Sequence, residues 1–325
     1  MKRKMVFVLA VVSVAALFLA ACRGRSGSEA VPSFEPTRNI EGVCSSSPGG
    51  GSDMFIRAIT GIMESRGFVN RTIVVVNQTD GGGRVAEVRV ARATDDHLIL
   101  AVNSGAVLSW LNTGVLTVED VTPLAVMALD KQLLVIGRDS PHKTFPEFVA
   151  AVKAGNRVVM GGSRGDDSYA HKILIDELVA KERIDPALVP YVPFNSTSEA
   201  ITAMLGGHLD IAVVKPAAAM QFVLAGELTP VMVYGDTRLP APYDVPTITE
   251  FGYDNIEFHI WRAIVGPKNM TPGAIQFWSD ALEATFNTDE WKDYLDRNIL
   301  VPFFVNARDS VRFFKESEDQ IKTFL

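Results

Sequence analysis

The chain has 325 residues, a hydrophobic content of 47% and a formal net charge of −7 at pH 7. Without its first 21 residues, which carry three positive charges, the charge falls to about −10 (−7 minus 3), so the basic surface that nucleic-acid binding requires is missing. The roughly 300 residues that remain are enough for two domains or one large one.

The N-terminal segment has the pattern of a lipoprotein signal peptide. Three positive residues at its start are followed by an uncharged, largely apolar run over 5–21, and Leu19-Ala20-Ala21 precedes Cys22. This run is shorter than the roughly 20 apolar residues of a membrane-spanning helix. We predict a signal peptide over 1–21 and a lipidated flexible tether over 22–37, anchored in a bilayer at its periplasmic or cell-surface face. The alternative is an ordinary signal peptide in which Cys22 is incidental.

The two cysteines and five histidines give no pattern of a metal site or a disulfide. With Cys22 assigned to a lipid, Cys44 has no partner, and an exported chain without disulfides depends on its core for stability. We predict that Cys44 is a core residue at the end of a strand, the alternative being a reactive thiol. HExxH and CxxC spacings are absent, so we predict no metal and no cofactor.

Short apolar runs alternate with longer amphipathic stretches from residue 39 onward. The apolar runs predict buried strands at Ile40–Cys44, Ile73–Val76, His97–Val102, Leu133–Ile136, Arg157–Met160, Asp210–Val214 and Pro230–Val233. Helical periodicity predicts helices over 53–66, 83–93, 145–154, 168–181, 197–206, 216–225, 271–298 and 307–324, with one more strand at Val301–Val305. Strands that alternate with helices in this way predict an α/β fold with mostly parallel sheets.

Polar or glycine-rich segments lie at six strand ends, where open α/β sheets bind ligands, often at helix N-termini. They are Ser45–Asp53, Asn77–Gly83, Asn103–Gly105, Gly161–Ser168, Pro193–Glu199 and Lys215. The first segment lacks the ending of a phosphate P-loop and the spacing of a dinucleotide site. Taken alone, it fits a turn that binds no ligand as well as it fits a ligand-binding loop. The recurrence of such segments indicates a polar pocket lined by neutral hydrogen-bond donors and helix ends.

Many segments resemble, in the same order, the motifs of one family. They are Pro48–Asp53, Asn77–Gly83, Gly161–His171, Tyr191–Phe194, Glu199–Ala200, Leu205–Asp210, Ala225–Leu228, Asp244–Thr247, Trp261–Arg262 and Gly266–Pro267. They are similar to the PGGGxD loop, the NxxGxGG turn, the glycine-serine loop before a histidine and the later motifs of tripartite tricarboxylate transporter receptors. These receptors are also called the Bug family of periplasmic binding proteins, and the resemblance runs from about residue 39 to the C-terminus.

The resemblance implies a two-lobed periplasmic-binding-protein fold, in which each lobe is a mostly parallel sheet flanked by helices and the ligand cleft lies between the lobes. We place lobe I at 38–137 and 237–325 and lobe II at 138–236. The resemblance also implies a receptor that captures a small carboxylate, such as a tri- or dicarboxylate or a related organic acid, and delivers it to a permease of two membrane subunits. We expect a monomer without catalytic residues.

The residues that we expect to contact the ligand come from the strand-end segments. They are Ser46, Ser47, Gly50, Gly51, Ser52, Asn103, Ser104, Ser163, Ser168, Ser196, Thr197, Ser198 and Lys215. Helix N-termini that face each other across a cleft hold carboxylates without much fixed positive charge, each worth up to ~2 kcal/mol when partly buried.

Four charged residues near these segments have two alternative roles each. Lys215 pairs either with a ligand carboxylate or with Asp167 across the cleft. Asp166 and Asp167 stand where the family is usually neutral, and they either favour a ligand that carries an amine or face solvent. Arg262 either holds the lobe interface or reaches the ligand.

Three further residues are predicted to be structural. Asp53 opens a helix, so we expect it to cap that helix, because a carboxylate would repel an anionic ligand. We expect His171 to serve in packing or capping and Trp261 to pack under the cleft or in the core.

Two rival functions fit the same sequence less well. One is a ligand sensor that serves a membrane kinase instead of a permease. The other is a serine-type hydrolase that uses Ser47 or Ser52 with His171, although the GxSxG motif is absent and the base would have to come from the other lobe.

Overall fold

The computed structural model describes residues 33–164, 166–239, 243–253 and 260–322. The predicted signal peptide, Cys22 and most of the predicted tether lie outside these residues. In the part of the chain that the structure describes, no helix is long and apolar enough to cross a membrane.

The described residues form eleven strands and ten α-helices. The strands are β1 (Ile40–Cys44), β2 (Ile73–Asn77), β3 (Leu98–Asn103), β4 (Val121–Asp130), β5 (Leu133–Gly137), β6 (Met160–Ser163), β7 (Tyr191–Phe194), β8 (Ile211–Val214), β9 (Leu228–Val233), β10 (Ile260–Pro267) and β11 (Val301–Asn306). The helices are α1 (Gly51–Ser65), α2 (Arg84–Arg92), α3 (Ser104–Thr113), α4 (Phe145–Lys153), α5 (Asp166–Glu182), α6 (Thr197–Leu205), α7 (Pro216–Leu224), α8 (Pro272–Phe286), α9 (Asp289–Asn298) and α10 (Ala307–Lys322).

The first sheet has six strands in the order β11-β4-β10-β3-β1-β2. Strand β1 pairs in parallel with β2 and β3, whereas β10 is antiparallel to β3 and β4, and β11 is antiparallel to β4. Cys44 is in register with Asn77 and Ala101. The carboxyl ends of β1, β2 and β3 therefore lie at one edge, and the loops that follow these strands start there.

The second sheet has five strands in the order β7-β6-β8-β5-β9. Strand β6 is parallel to β7 and β8, whereas β5 is antiparallel to β8 and β9. Both sheets are thus mixed, and the prediction of mostly parallel sheets is wrong for the strands that border the passage between them. Parallel pairing requires a crossover that returns to the same sheet, whereas the β4-to-β5 and β9-to-β10 connections pass from one sheet to the other.

The chain passes between the sheets twice, after β4 and after β9. We call the six-stranded sheet with its helices lobe I and the five-stranded sheet with its helices lobe II. The sequence boundary at residue 137 placed Leu133–Gly137 in lobe I, but β5 pairs in the sheet of lobe II. The first passage is made by Lys131 and Gln132. The sequence misplaced this boundary because an apolar run such as β5 carries no local signal of the sheet that it joins.

Several elements differ from the sequence prediction. Strand β6 lies three residues later than predicted, since Gly161 and Gly162 belong to the strand and not to the loop. A Cβ on Gly161 would lie 2.6 Å from Leu209 Cδ1, and one on Gly162 would lie 2.6 Å from Asp167 Cβ, so these glycines permit close packing. The sequence pattern does not predict β4, β7, β10 or α3, and it merges α8 and α9 into one helix.

The apolar core has one part in each lobe and one part shared between them. In lobe I, Phe55, Trp278 and Trp291 are fully buried on one face of the sheet. A separate cluster in lobe II includes Tyr243. The third cluster contains residues of both sheets, among them Trp261. Each such side chain stabilises the fold by about 1.5–3 kcal/mol through burial, so the two lobes are held together by packing as well as by the chain.

Candidate ligand-binding cleft

A polar cavity of about 70 Å³ lies where the strand-to-helix loops of the two lobes meet. Its walls come from the loops that follow β1, β2 and β3 in lobe I and β6, β7 and β8 in lobe II. Nine of the thirteen predicted contact residues line it: Ser46, Gly50, Gly51, Ser52, Asn103, Ser163, Ser196, Thr197 and Lys215. The fold brings these residues together because the carboxyl ends of the strands face one cleft.

Two of the remaining predicted contacts join the lobes instead of lining the cavity. Ser47 of lobe I donates a hydrogen bond of 2.5 Å to Glu199 of lobe II. Ser198 of lobe II donates one of 3.2 Å to the carbonyl oxygen of Gly49. The cleft is therefore closed at this side by direct contacts between the two lobes.

The last two predicted contacts also lie outside the cavity lining. Ser168 donates a hydrogen bond of 2.6 Å to the carbonyl oxygen of Arg164. Ser104 is buried at the first position of α3. The strand-end pattern identified their loops, but it could not tell which hydroxyls face the cleft.

Helix α1 begins at the cavity with its first-turn N–H groups uncapped. Gly50 at the N-cap has no side chain to accept from them, and an uncapped helix N-terminus favours an anion. Asp53 accepts hydrogen bonds from Gly49 N at 2.9 Å and from Asn77 Nδ2 at 2.8 Å. Its buried carboxylate thus organises the loops around α1 and is not among the cavity-lining residues.

Gly51 occupies a position in which no side chain fits. A Cβ there would lie 2.7 Å from Arg262 Nη2 and 2.7 Å from Lys215 Cδ. Contacts below 3.0 Å force the neighbours to move, and both neighbours are buried charged side chains. The glycine therefore lets the backbone of α1 approach the lobe interface.

Glu87 is a cavity-lining acid that the sequence pattern did not single out. It lies on the buried face of α2, and Trp110 Nε1 donates a hydrogen bond of 2.7 Å to its carboxylate. Burial raises the pKa of Glu87, and the hydrogen bond from Trp110 opposes that shift. This wall of the cavity is thus less acidic than an exposed glutamate would make it.

Asp167 directs its carboxylate at donor groups of lobe II. Its Oδ2 accepts hydrogen bonds from Ser163 N at 2.7 Å and from Thr197 Oγ1 at 2.9 Å. Lys215 Nζ lies 3.6 Å from Asp167 Oδ1. Both charged residues belong to lobe II, so the expected pairing of Lys215 with Asp167 occurs within one lobe and not across the cleft.

A second buried ion pair joins the first. Arg262 on β10 donates a hydrogen bond to Asp130 at the end of β4, and Lys215 Nζ lies 3.9 Å from Asp130 Oδ2. We call Asp130, Asp167, Lys215 and Arg262 the buried charge cluster; none is more than 5% exposed. Its formal charges cancel, as buried charges require, since each unpaired one would cost several kcal/mol. Arg262 thus serves the lobe interface.

Arg164 is the charged residue of lobe II at the opening of the cleft. Its exposed side chain crosses to lobe I, where a Cβ on Gly82 would lie 3.2 Å from Arg164 Cδ and Nη1. Gly82 has a positive φ of 74° in the turn before α2. The turn therefore needs glycine for its backbone conformation, and a side chain there would also displace the arginine slightly.

The comparisons with known proteins agree with this arrangement. The model of the tripartite tricarboxylate transporter family receptor matches residues 60–325. The chain belongs to this family.

The receptor has relatives along nearly its whole length. It is 25% identical over 316 residues to the UPF0065 protein in the gbd 5' region of Cupriavidus necator, covering 96% of this chain and 93% of that relative. The structure of the periplasmic binding protein BugD is similar with a TM-score of 0.79 at 20% identity, covering 88% of this chain and 96% of BugD. MatC from Rhodopseudomonas palustris with bound malate has a TM-score of 0.77 at 20% identity, covering 89% of this chain and 99% of MatC.

These findings confirm two predictions about the receptor. The chain has the periplasmic-binding-protein fold with two sheets flanked by helices. Its family is one of solute-binding receptors and not of enzymes, which sets the hydrolase alternative aside.

The contacts of His171 also speak against the hydrolase alternative. Its Nε2 lies 3.1 Å from the carbonyl oxygen of Val189, and its ring packs on Tyr191 with 4.7 Å between centroids. Burial lowers the pKa of His171 to about 4, and the hydrogen bond to Val189 opposes that shift. The histidine is thus engaged in the packing of lobe II, while Ser47 donates to Glu199.

Trp261 and Cys44 of the receptor lie in the core. Trp261 Nε1 donates a hydrogen bond of 2.7 Å to Ser317, and its ring packs on Phe314 with 4.6 Å between centroids. Cys44 is fully buried at the end of β1, and its Sγ lies 3.2 Å from Ser46 Oγ. Burial raises the pKa of the Cys44 thiol, which makes it a poor nucleophile.

Sequence reasoning missed eight residues that line the receptor's cavity. They are Ser45, Gly82, Glu87, Gly105, Ala106, Ser109, Arg164 and Asn195. Most of them lie in or beside the strand-end segments that supplied the predicted contacts, such as those around Ser163 and Ser196. Glu87 had a weaker signal, an acidic residue on the apolar face of a short helix.

Proposed function

We propose that this receptor is an exported, lipid-anchored solute-binding protein that captures a small carboxylate in the cleft and delivers it to a two-subunit membrane permease. The observation that carries the proposal is the cavity itself, which is walled by six strand-to-helix loops rich in hydroxyl, amide and backbone donors. Membership in a transporter receptor family supports the permease partner. The structure of MatC with bound malate supports a carboxylate as the ligand class.

The carboxylate binds at the start of α1 in this proposal. First-turn N–H groups at Gly51 and Ser52 lie at the cavity wall, without a side-chain cap. A helix N-terminus stabilises an anion by up to ~2 kcal/mol in a partly buried site. Closure of the cleft by contacts such as Ser47–Glu199 excludes water and strengthens these hydrogen bonds.

The sequence before residue 33 supports the proposed lipid anchor. An uncharged run ends in Ala20-Ala21-Cys22, a setting that suits cleavage and acylation at the cysteine. More than one acyl chain is needed for a stable anchor. A tethered receptor stays near its permease at a high effective concentration, so the anchor and the transport role support each other.

A thermal-shift screen of the purified protein tests the binding claim. The screen compares each di- or tricarboxylate, hydroxy acid and amino acid with an analogue in which a neutral carboxamide replaces each carboxylate. A true ligand at 100 times its dissociation constant should stabilise the protein by about 2.7 kcal/mol, which raises the melting temperature by several degrees, and its amide should not. If no carboxylate raises the melting temperature more than its amide does, the proposed function is wrong.

A further inference from the structure

Asp167 occupies the position in lobe II at which a ligand carboxylate would find its donors. A backbone N–H, a hydroxyl and an ammonium bind carboxylates well, and Ser163, Thr197 and Lys215 supply these groups at the cavity wall. Two of them donate to Asp167 at 2.7 and 2.9 Å, and the ammonium lies 3.6 Å from its other oxygen. Lobe II thus already holds a carboxylate of its own.

Lobe I differs at the start of α1. Asp53 is turned to Gly49, Arg57 and Asn77. Within the described residues, no side-chain oxygen accepts a hydrogen bond from the N–H of Gly51 or Ser52. The two ends of the cavity therefore have different electrostatic characters: lobe I offers helix N–H groups, and lobe II offers donors that are paired with Asp167.

We propose that Asp167 is a built-in anion that makes this receptor selective for small acids with one carboxylate, bound by lobe I, and an uncharged polar end that faces lobe II. This inference rests on the proposed function. Asp167 itself is fully buried and does not line the cavity. It acts through the donors that it occupies, so it determines specificity without touching the ligand.

Both kinds of charged group are disfavoured at the lobe II end. A second ligand carboxylate would have to compete with Asp167 for donors that it already engages, and the charge of Lys215 is already balanced by Asp167 and Asp130. A ligand amine would meet the ammonium of Lys215 first, because Lys215 lines the cavity. A hydroxyl or carbonyl group avoids both penalties. A hydroxyl can donate to Thr197 Oγ1, whose own proton goes to Asp167, and either group can accept from the Ser163 hydroxyl at the cavity wall.

The size of the cavity points in the same direction. One water requires roughly 10–15 Å³ of space for its centre, so the cavity of about 70 Å³ has room for only a few waters and favours a small ligand. This matches a three-carbon hydroxy or keto acid. Lactate and malate share the hydroxy-acid end and differ by one distal carboxylate, which makes them a matched pair of probes.

Calorimetric titration of the full chain in detergent with both enantiomers of lactate and malate tests the inference. The wild-type protein should bind lactate at least tenfold more tightly than malate. In Asp167→Asn, the amide oxygen still accepts from Ser163 and Thr197, but the neutral side chain no longer balances the charge of Lys215. Malate affinity should then rise at least tenfold, and lactate affinity should change less than threefold.

The double variant D167N/K215M is the matched control, because it removes one negative and one positive charge together. It should lose the gain in malate affinity if that gain comes from the Lys215 charge that Asp167 balances in the wild type. A wild-type preference for malate over lactate overturns the inference regardless of how the variants fold. The inference is also overturned if a folded Asp167→Asn protein has a ratio of lactate to malate affinity within twofold of the wild-type ratio. If no carboxylate of any kind binds the wild type, the proposed function itself fails.

Discussion

Burial shifts the pKa of one titratable side chain in each lobe. Burial raises the pKa of Glu87 and lowers the pKa of His171 to about 4. Both shifts favour the neutral form of the side chain, since low-dielectric surroundings penalise charge. Of the two cationic residues that line the cavity, Lys215 is held in the buried charge cluster, and Arg164 is exposed.

His171 should make the stability of the protein depend on pH. Its pKa is about 4 in the folded protein and 6.5 in an unperturbed histidine, so below pH 6.5 the unfolded chain binds a proton that the native state does not. Stability is then lost as the pH falls from 6.5 to 4, by up to about 3 kcal/mol at 1.36 kcal/mol per unit. Urea unfolding at pH 7 and pH 4.5 should show this loss in the wild type and much less of it in His171→Gln.

The exposed His208 of the same lobe provides the control for that measurement. The variant His208→Gln should keep the wild-type pH dependence, because its ring is not buried. Ligand affinity at pH 7 should be unchanged in His171→Gln, since His171 does not line the cavity. Equal pH dependence in the wild type and His171→Gln would show that the burial of His171 is not the cause.

The elements with local signals could be predicted from the sequence, and those set by distant contacts could not. Strand β1 has its predicted bounds, and α1 begins two residues before its predicted start. The shift of β6 depends on Leu209 and Asp167, which come close to Gly161 and Gly162 only in the folded chain. The sequence pattern treated Asn103–Gly105 as a loop, whereas Asn103 accepts from Ala106 N at 2.9 Å and caps α3.

Helix α1 contains two glycines that allow a matched test of the cleft. Gly51→Ala should reduce ligand affinity at least tenfold, because its Cβ would lie 2.7 Å from Arg262 and Lys215 and overpacking of this kind costs about 1–3 kcal/mol. Gly61→Ala meets nothing within 4 Å and should stabilise the helix by about 0.5–1 kcal/mol. Titration and urea unfolding of both variants measure the two effects.

These two alanine variants separate the packing argument from a general effect of alanine in the helix. If Gly51→Ala binds the ligand as well as the wild type does, the start of α1 is not part of the binding site. Reduced affinity in Gly61→Ala would show that the effect comes from the helix as a whole.

At the scale of the molecule, the pairing of charges between lobes is the property that sequence could predict least. Arg262 and Asp130 belong to lobe I, and Lys215 and Asp167 belong to lobe II. The sequence placed Lys215 near a ligand or near Asp167, but its approach to Asp130 depends on how the chain passes from β4 to β5. The buried charge cluster thus links the two lobes behind the cavity, while Ser47 and Ser198 link them at its side.

The proposed lipid anchor at Cys22 gives the last test. If Cys22 carries the lipid, the wild-type protein should incorporate labelled palmitate in cells and partition into the detergent phase of a Triton X-114 extract. Cys22→Ser should lose both properties and should keep its ligand affinity, because the cleft is formed by residues after Cys44. The chain has one other cysteine, and Cys44→Ala should still take up the label because Cys44 is buried in the fold. Labelling that persists in Cys22→Ser would refute Cys22 as the lipid-bearing residue.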